Sequence, residues 1–215
     1  MNCLIVTGGD VCLDLLNEYY NDNKDLLVIA VDKGLESLYS LNIVPNHIVG
    51  DLDSVNATIL KHYQNNPQIT IHKYIPEKDY TDTDIALKLA IKLAASNITI
   101  IGATGTRIDH MLANIHVLTY ALDSKIPCHI LDSNNKIYLI NDSAKLNKDE
   151  AHGKYISLIP LTTSIEGLTL KGFKYPLNNY CLTIGKSLGI SNEIIQDIAT
   201  IDLKSGTLIV IESKD

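Results

Sequence analysis

Residues 98–118 read ITIIGATGTRIDHMLANIHVL. The β-branched, apolar run 98–102 is expected to form a strand, and a glycine-bearing loop follows it. A helix is expected to start at Asp109, because Met111, Leu112, Ile115, Leu118 and Leu122 trace one apolar face. The same strand–loop–helix order recurs along the first 130 or so residues, with strand candidates at 3–7, 26–31, 47–50, 70–74 and 128–131. Several of these are apolar throughout, as strands covered on both faces must be. The clearest helical pattern runs over 82–95, with Thr81 as N-cap and Asp84 placed four residues before Lys88. Alternation of this kind implies an α/β fold: an N-terminal, mostly parallel, doubly wound sheet with flanking helices.

Near Asn134 the texture changes. Short alternating segments at 155–161, 168–171, 181–184, 199–204 and 207–212 are separated by turn residues. Ala199, Ile201 and Leu203 point one way, Thr200, Asp202 and Lys204 the other, and Lys204-Ser205-Gly206 is expected to close a hairpin onto 207–211. Two domains are therefore expected: an α/β domain over 1–134 and a C-terminal antiparallel β-sandwich over 135–215. The second is small for independent stability and should pack on the first or on another subunit.

The bulk numbers exclude several classes. A net charge of −7 over 215 residues argues against a nucleic-acid or anionic-membrane surface, though not against a small anion that arrives with its own metal ion. Cys3, Cys12, Cys128 and Cys181 are scattered with no CxxC, and the seven histidines include no HxxxH. This argues for a reducing compartment and against a zinc site or disulfide frame. The start, MNCLIVTGGD, lacks the basic and long apolar regions of a signal peptide, and no run reaches membrane-spanning length. A cytoplasmic protein is expected.

In open α/β sheets the binding crevice lies at the carboxyl ends of the strands. Here those ends carry aspartates: Asp32 in Asp32-Lys33-Gly34, Asp51 and Asp53 in GDLDS, Asp79 and Asp82 in EKDYTD, and Asp109. Taken singly, each reads as a turn or helix-cap residue. Together they repel one another unless a cation sits among them, and Mg²⁺ suits oxygen ligands while keeping waters for a polyphosphate. If the GDLDS chain is extended, Asp51 and Asp53 face the same way and grip one ion. Lys33, Lys78 and Arg107 lie in the same loops. Arg107 is the one arginine among 18 Lys and Arg residues, and its planar fork suits phosphate oxygens. Carboxylates, cations and glycines in this arrangement point to metal-assisted phosphoryl chemistry. No P-loop motif and no G-x-S-x-G is present.

These stretches, with Asp32-Lys33-Gly34, GDLDS at 50–54, EKDYTD at 77–82, GATGTRIDHMLANI at 102–115, GFKYPL at 172–177 and GISNE at 189–193, resemble the thiamine pyrophosphokinases of bacterial type, in order and end to end. The resemblance implies transfer of the pyrophosphoryl group of ATP to the hydroxyethyl oxygen of thiamine, giving thiamine diphosphate and AMP. It implies a homodimer with Mg²⁺ as cofactor, and an α/β catalytic domain joined to a thiamine-binding β-domain. Asp51, Asp53, Asp79, Asp82 and Asp109 match acidic positions around the metal and phosphates, with Asp51, Asp53, Asp79, Arg107 and Asp109 carrying catalysis. ATP would meet Asp32, Lys33, Lys78, Gly102, Thr104, Gly105 and Arg107. Ser191 and Asn192 match the pair associated with thiamine, and Tyr175 either stacks on its ring or fills the sandwich core. Two departures stand out: Thr106 replaces the second glycine of the usual pair, and Lys33 follows Asp32 where many members have glycine. His110 is expected to hold the local fold. The rival readings are a metal-dependent phosphohydrolase and a catalytically silent nucleotide or thiamine sensor.

Overall fold

A computed structural model of the protein describes residues 1–73 and 80–215. The strand end at Tyr74 and the site candidates Lys78 and Asp79 lie outside the described residues. The chain divides into two compact units, Met1–Ser133 and Asn134–Asp215.

In the first unit, strands β1 (Asn2–Val6), β2 (Leu27–Val31), β3 (His47–Gly50), β4 (Thr70–Lys73), β5 (Asn97–Ile101) and β6 (Cys128–Leu131) alternate with helices. The helices are α1 (Leu13–Asp22), α2 (Gly34–Ser40), α3 (Ala57–Gln64), α4 (Asp82–Lys92), α5 (Ile108–Val117) and α6 (Thr119–Asp123). The strands lie in the order β6-β5-β1-β2-β3-β4, every neighbouring pair parallel. The chain starts at β1, walks outward to β4, then returns to β5 on the other side of β1. On one face, Leu4, Val6, Val28, Ala30 and Ile48 pack with Leu16, Leu35, Leu38 and Tyr63 from α1, α2 and α3. The opposite-facing Ile5, Ile29, Ile98 and Ile100 are equally buried, and α4 packs on β1, β2 and β3. With both faces covered, each fully buried Leu or Ile contributes about 2 kcal/mol, which is why these strands read as unbroken apolar runs.

Thr81 caps α4 as expected, its hydroxyl accepting from the Asp84 amide at 3.3 Å. The helix stops at Lys92, short of 95, because Leu93 caps it and Ala94 turns to φ +57. Helix α5 begins at Ile108, and Leu112 is 50 % exposed, so the expected apolar stripe is narrower than its sequence suggests. Its buried flank is Asn114 and Ile115, followed by Leu118. Met111 instead lines a cleft described below.

The second unit contains β7 (Asn135–Ile140), β8 (Ala144–Asn147), β9 (Tyr155–Pro160), β10 (Ser164–Lys171), β11 (Leu177–Thr183), β12 (Asn192–Glu193), β13 (Ile198–Asp202) and β14 (Leu208–Ser213). Two antiparallel layers, β12-β9-β14-β7 and β11-β10-β13-β8, enclose a core that includes Ile156, Leu158, Val210, Ile165, Leu170 and Ile201. Ala199 and Ile201 do face inward. The expected hairpin between β13 and β14 does not form. β13 pairs with β10 and β8, while β14 pairs with β7 and β9 in the other layer. The physical reason lies in the connection, where Ser205 bridges back to Glu166 and Gly206 adopts φ +101, carrying the chain from one layer to the other. A Cβ on Gly206 would lie 2.5 Å from the Ser164 carbonyl oxygen. Gly206→Ala should therefore cost about 2 kcal/mol or more, read as a lower urea midpoint at unchanged m.

Candidate functional site

The strand order switches sides at β1, which places the expected binding crevice at the carboxyl ends of β1 and its neighbours. Main-chain bonds continue beyond the strands themselves. Thr7 N donates to Ile101 O at 2.8 Å, Gly9 N to Gly102 O at 2.9 Å and Asp10 N to Thr104 O at 2.9 Å. The Thr7 hydroxyl also donates to Gly102 O at 2.5 Å, and buried Asn114 donates through Nδ2 to Ala103 O at 2.8 Å. The loops 7–10 and 102–105 are thus laced into one wall of a cleft of about 510 Å³. Lys33 and Asp32 from the β2–α2 junction, and Thr81, Asp82 and Thr83 from the start of α4, also line it. So do Thr106, Arg107, His110 and Met111.

Asp32 sits at the acidic end of this cleft in the left-handed region, φ +46, and its amide donates to Val49 O at 3.2 Å. Its Oδ1 is buried without a hydrogen-bond partner and occupies the space a side chain at Gly50 would need, 1.9 Å from an ideal Cβ there. Burial, and then the charges of Asp82 and Asp51, push the Asp32 carboxyl up to about 7; the Leu52 N–H pulls the other way. A side-chain interaction with Asp82 adds a small further upward push on the Asp32 carboxyl. Three carboxylates from three successive βα junctions therefore lie close enough to repel one another.

The Asp51-Leu52-Asp53 segment is not extended. Leu52 is buried with φ +66, and the Asp53 amide turns back to donate to Asp51 Oδ1 at 3.1 Å. Asp53 is exposed and, unlike Asp32, does not line the cleft. Burying Leu52 overrides the two-residue periodicity that would have aimed both acids alike. Asp109 is exposed as well, and it is held by Arg107 through Nη2–Oδ2 at 2.6 Å and Nε–Oδ1 at 3.2 Å. That fork holds the Asp109 carboxyl down at about 2.

Of the residues singled out from the sequence, Asp32, Lys33, Asp82, Gly102, Thr104, Gly105 and Arg107 meet in one cleft, with Asp51 beside Asp32. His110, expected only to hold the local fold, lines the cleft. Thr7, Gly8, Gly9, Asp10 and Asn114 were not singled out. The Gly-Gly-Asp after the first strand was the available signal, once that strand is known to border the reversal point.

In the second unit, Asn192 is buried and hydrogen-bonded through both its amide oxygen and its amide nitrogen. Its Oδ1 accepts from Tyr175 N at 3.0 Å and Glu193 N at 2.9 Å, while Nδ2 donates to Tyr175 O at 2.9 Å. Tyr175 is 59 % exposed, so it does not fill the sandwich core. Ser191 is exposed at φ +55, its amide donating to Ser157 Oγ at 3.0 Å. Asn192 thus clamps the turn that presents Tyr175 beside Ser191.

No group of three or more His, Cys, Asp or Glu among the described residues forms a ready metal cage. Mg²⁺ does not need one, since it binds through one or two carboxylates plus waters and substrate phosphates. The orphaned Asp32 Oδ1 and the all-oxygen donor set fit such an ion.

Residues 18–130 match the family described as Thiamin pyrophosphokinase, catalytic domain, and residues 143–208 match Thiamin pyrophosphokinase, vitamin B1 binding domain. The thiamine pyrophosphokinase of Bacillus subtilis (strain 168) is 39% identical over 214 residues, covering 98% of each chain. The crystal structure of thiamine pyrophosphokinase from Bacillus subtilis superposes with a TM-score of 0.90 at 35% identity, covering 100% of both chains. That of thiamin pyrophosphokinase from Geobacillus thermodenitrificans gives 0.88 at 34%, covering 100% of this chain and 98% of the other.

In metal-free buffer the folded protein keeps the Asp32 proton up to about pH 7, whereas the unfolded chain releases it near 3.8. Stability is therefore lost as pH rises from about 4 to about 7, and the loss is complete above that range. Asp32→Asn should leave Tm unchanged at pH 4 and raise it above the parent at pH 8. Equal effects at the two pH values, measured by thermal melts in EDTA, would rule out carboxylate crowding as the cause.

Proposed function

The chain belongs to the thiamine pyrophosphokinase family, and from that premise we propose how its residues divide the work. The reaction is transfer of the pyrophosphoryl group of ATP to the hydroxyethyl oxygen of thiamine, giving thiamine diphosphate and AMP. Enzymes of this kind work with a divalent metal. We take it to be Mg²⁺, held by Asp51 and Asp82 with Asp32 at their side, and assign Asp53, Asp79 and Asp109 as further acidic groups acting toward the metal and phosphates. An ion held by these carboxylates would supply neutralisation of the polyphosphate charge and help to align the β-phosphorus for in-line attack.

The chain's own groups do the rest. The backbone of Gly102–Gly105, held rigid by the neighbouring 7–10 loop, gives phosphate a close approach. Lys33 and Lys78 supply point charges. Arg107, paired with Asp109 on the exposed rim, presents its fork to the transferring oxygens when the polyphosphate draws it inward. Thiamine is assigned to Ser191 and Tyr175, with Asn192 holding both in place. A homodimer in the cytoplasm completes the reading. The observation that carries the metal assignment is the crowding of Asp32, Asp51 and Asp82 at the reversal-point cleft, beside Lys33 and Arg107.

Incubation with ATP and Mg²⁺ should release AMP only when thiamine is present; thiamine-independent release of AMP or phosphate would favour a phosphohydrolase. Asp51→Asn should lower kcat by about 100-fold or more while the circular dichroism spectrum stays that of the parent. Arg107→Lys keeps the charge but loses the fork, so kcat should fall about 100-fold with Tm within about 2 °C, since an exposed ion pair contributes little to folding. Near-parental turnover in either variant would remove that residue from the mechanism.

A further inference from the structure

The start of α4 also lines the cleft, and its attachment differs in kind from that of the laced loops. Thr81, Asp82 and Thr83 line the cleft there, and Asp82 belongs to the carboxylate group around Asp32. Two residues on, Asp84 is buried, its amide capped by Thr81 and its Oδ1 held 2.9 Å from Lys88 Nζ. The Lys88 ammonium is also 3.7 Å from the centroid of the Tyr80 ring and 4.3 Å from that of Tyr120 on α6. Both contacts lie well inside the range over which a ring face attracts a cation. One ammonium therefore joins the residue preceding the N-cap, the first turn of α4, its second turn, and a neighbouring helix. None of Tyr80, Asp84, Lys88 and Tyr120 lines the cleft.

We propose that Lys88 is a positioning residue for the acidic wall of the cleft: bracketed by Tyr80 and Tyr120 and paired with Asp84, it fixes the backbone of residues 80–84 and thereby the placement of Asp82. A surface i,i+4 pair by itself would have no such reach. The ring of Tyr80 gives the cation purchase on the chain just before the helix, and Tyr120 fixes that assembly against α6. The kinetic part of this inference rests on the diphosphokinase reading above, whereas its structural part does not.

The test compares Lys88→Met, which keeps the aliphatic stem, with Tyr80→Leu and the conservative Tyr80→Phe, which keeps the ring face. Hydrogen exchange at the Asp84 and Ile85 amides should quicken about tenfold in the first two variants, with strand amides of β1 and β5 unchanged. In the same variants the Mg²⁺ concentration for half-maximal rate and the KM for ATP should rise about fivefold while the KM for thiamine stays put. Tyr80→Phe should stay within about twofold of the parent on every readout, because the cation–ring contact survives. Unaltered exchange at the two amides, or losses spread over both substrates in step with falling Tm, would overturn the proposal. Should Lys88→Met fail to fold, Tyr80→Leu decides the matter alone. A parent protein that makes no AMP with thiamine would defeat the functional reading, and the exchange rates would still judge the role of Lys88.

Discussion

Parallel pairing of β1 with β5 is the contact on which the site depends. Right-handed crossovers from a central strand must leave to one side for β2 and arrive from the other for β5, so the two following segments cannot cover the same ground. The cleft lies at this switch point. Its floor is unusually well defined, because amide–carbonyl bonds run past the strands into the 7–10 and 102–105 loops. A buried amide from Asn114 then ties the Ala103 carbonyl to α5. Phosphate recognition by main chain requires this kind of stiffness, since a donor that must first be ordered forfeits part of its binding energy.

Against that rigid side stands a region where local preferences are overridden. Asp32 and Leu52 both occupy the left-handed region, which aspartate tolerates better than most residues and which costs leucine about 1 kcal/mol or more. The carboxylates of Asp51 and Asp82 gather beside Asp32. Strain and like-charge repulsion coincide here, and both are tolerated because Leu52 is buried and the sheet edge beneath is complete. An apolar sheet with such a margin can hold a site whose electrostatics favour folding only once a cation arrives.

Much of this was legible in the residues. Unbroken apolar strands and amphipathic helices announced the parallel sheet, and the Thr81 cap placed α4 to within a residue at its start. Aspartates after the strands pointed to the right edge of the sheet. What failed did so for identifiable reasons. The Asp-x-Asp spacing assumes extended chain, and a single buried leucine at positive φ breaks that assumption. The Lys204–Gly206 turn has hairpin chemistry but serves a change of layer, which depends on partners distant in sequence such as Glu166. The Gly8-Gly9-Asp10 loop carries no charge pattern to mark it, and its role follows from strand order, which no local window contains. Asn192, matched from sequence to the pair associated with thiamine, also bonds the main chain of Tyr175 and Glu193, partners that no local sequence pattern reveals.

The two sides of the cleft are fastened by different means, and this determines which of them opens more readily. Separating the 7–10 loop from the 102–105 loop would tear rungs continuous with the central strands, an opening as rare as global unfolding. The start of α4 is pinned by a hydroxyl cap and side-chain contacts, which part and re-form far more readily. Local opening therefore costs less on the helical side, and the glycine side is the fixed jaw of the cleft.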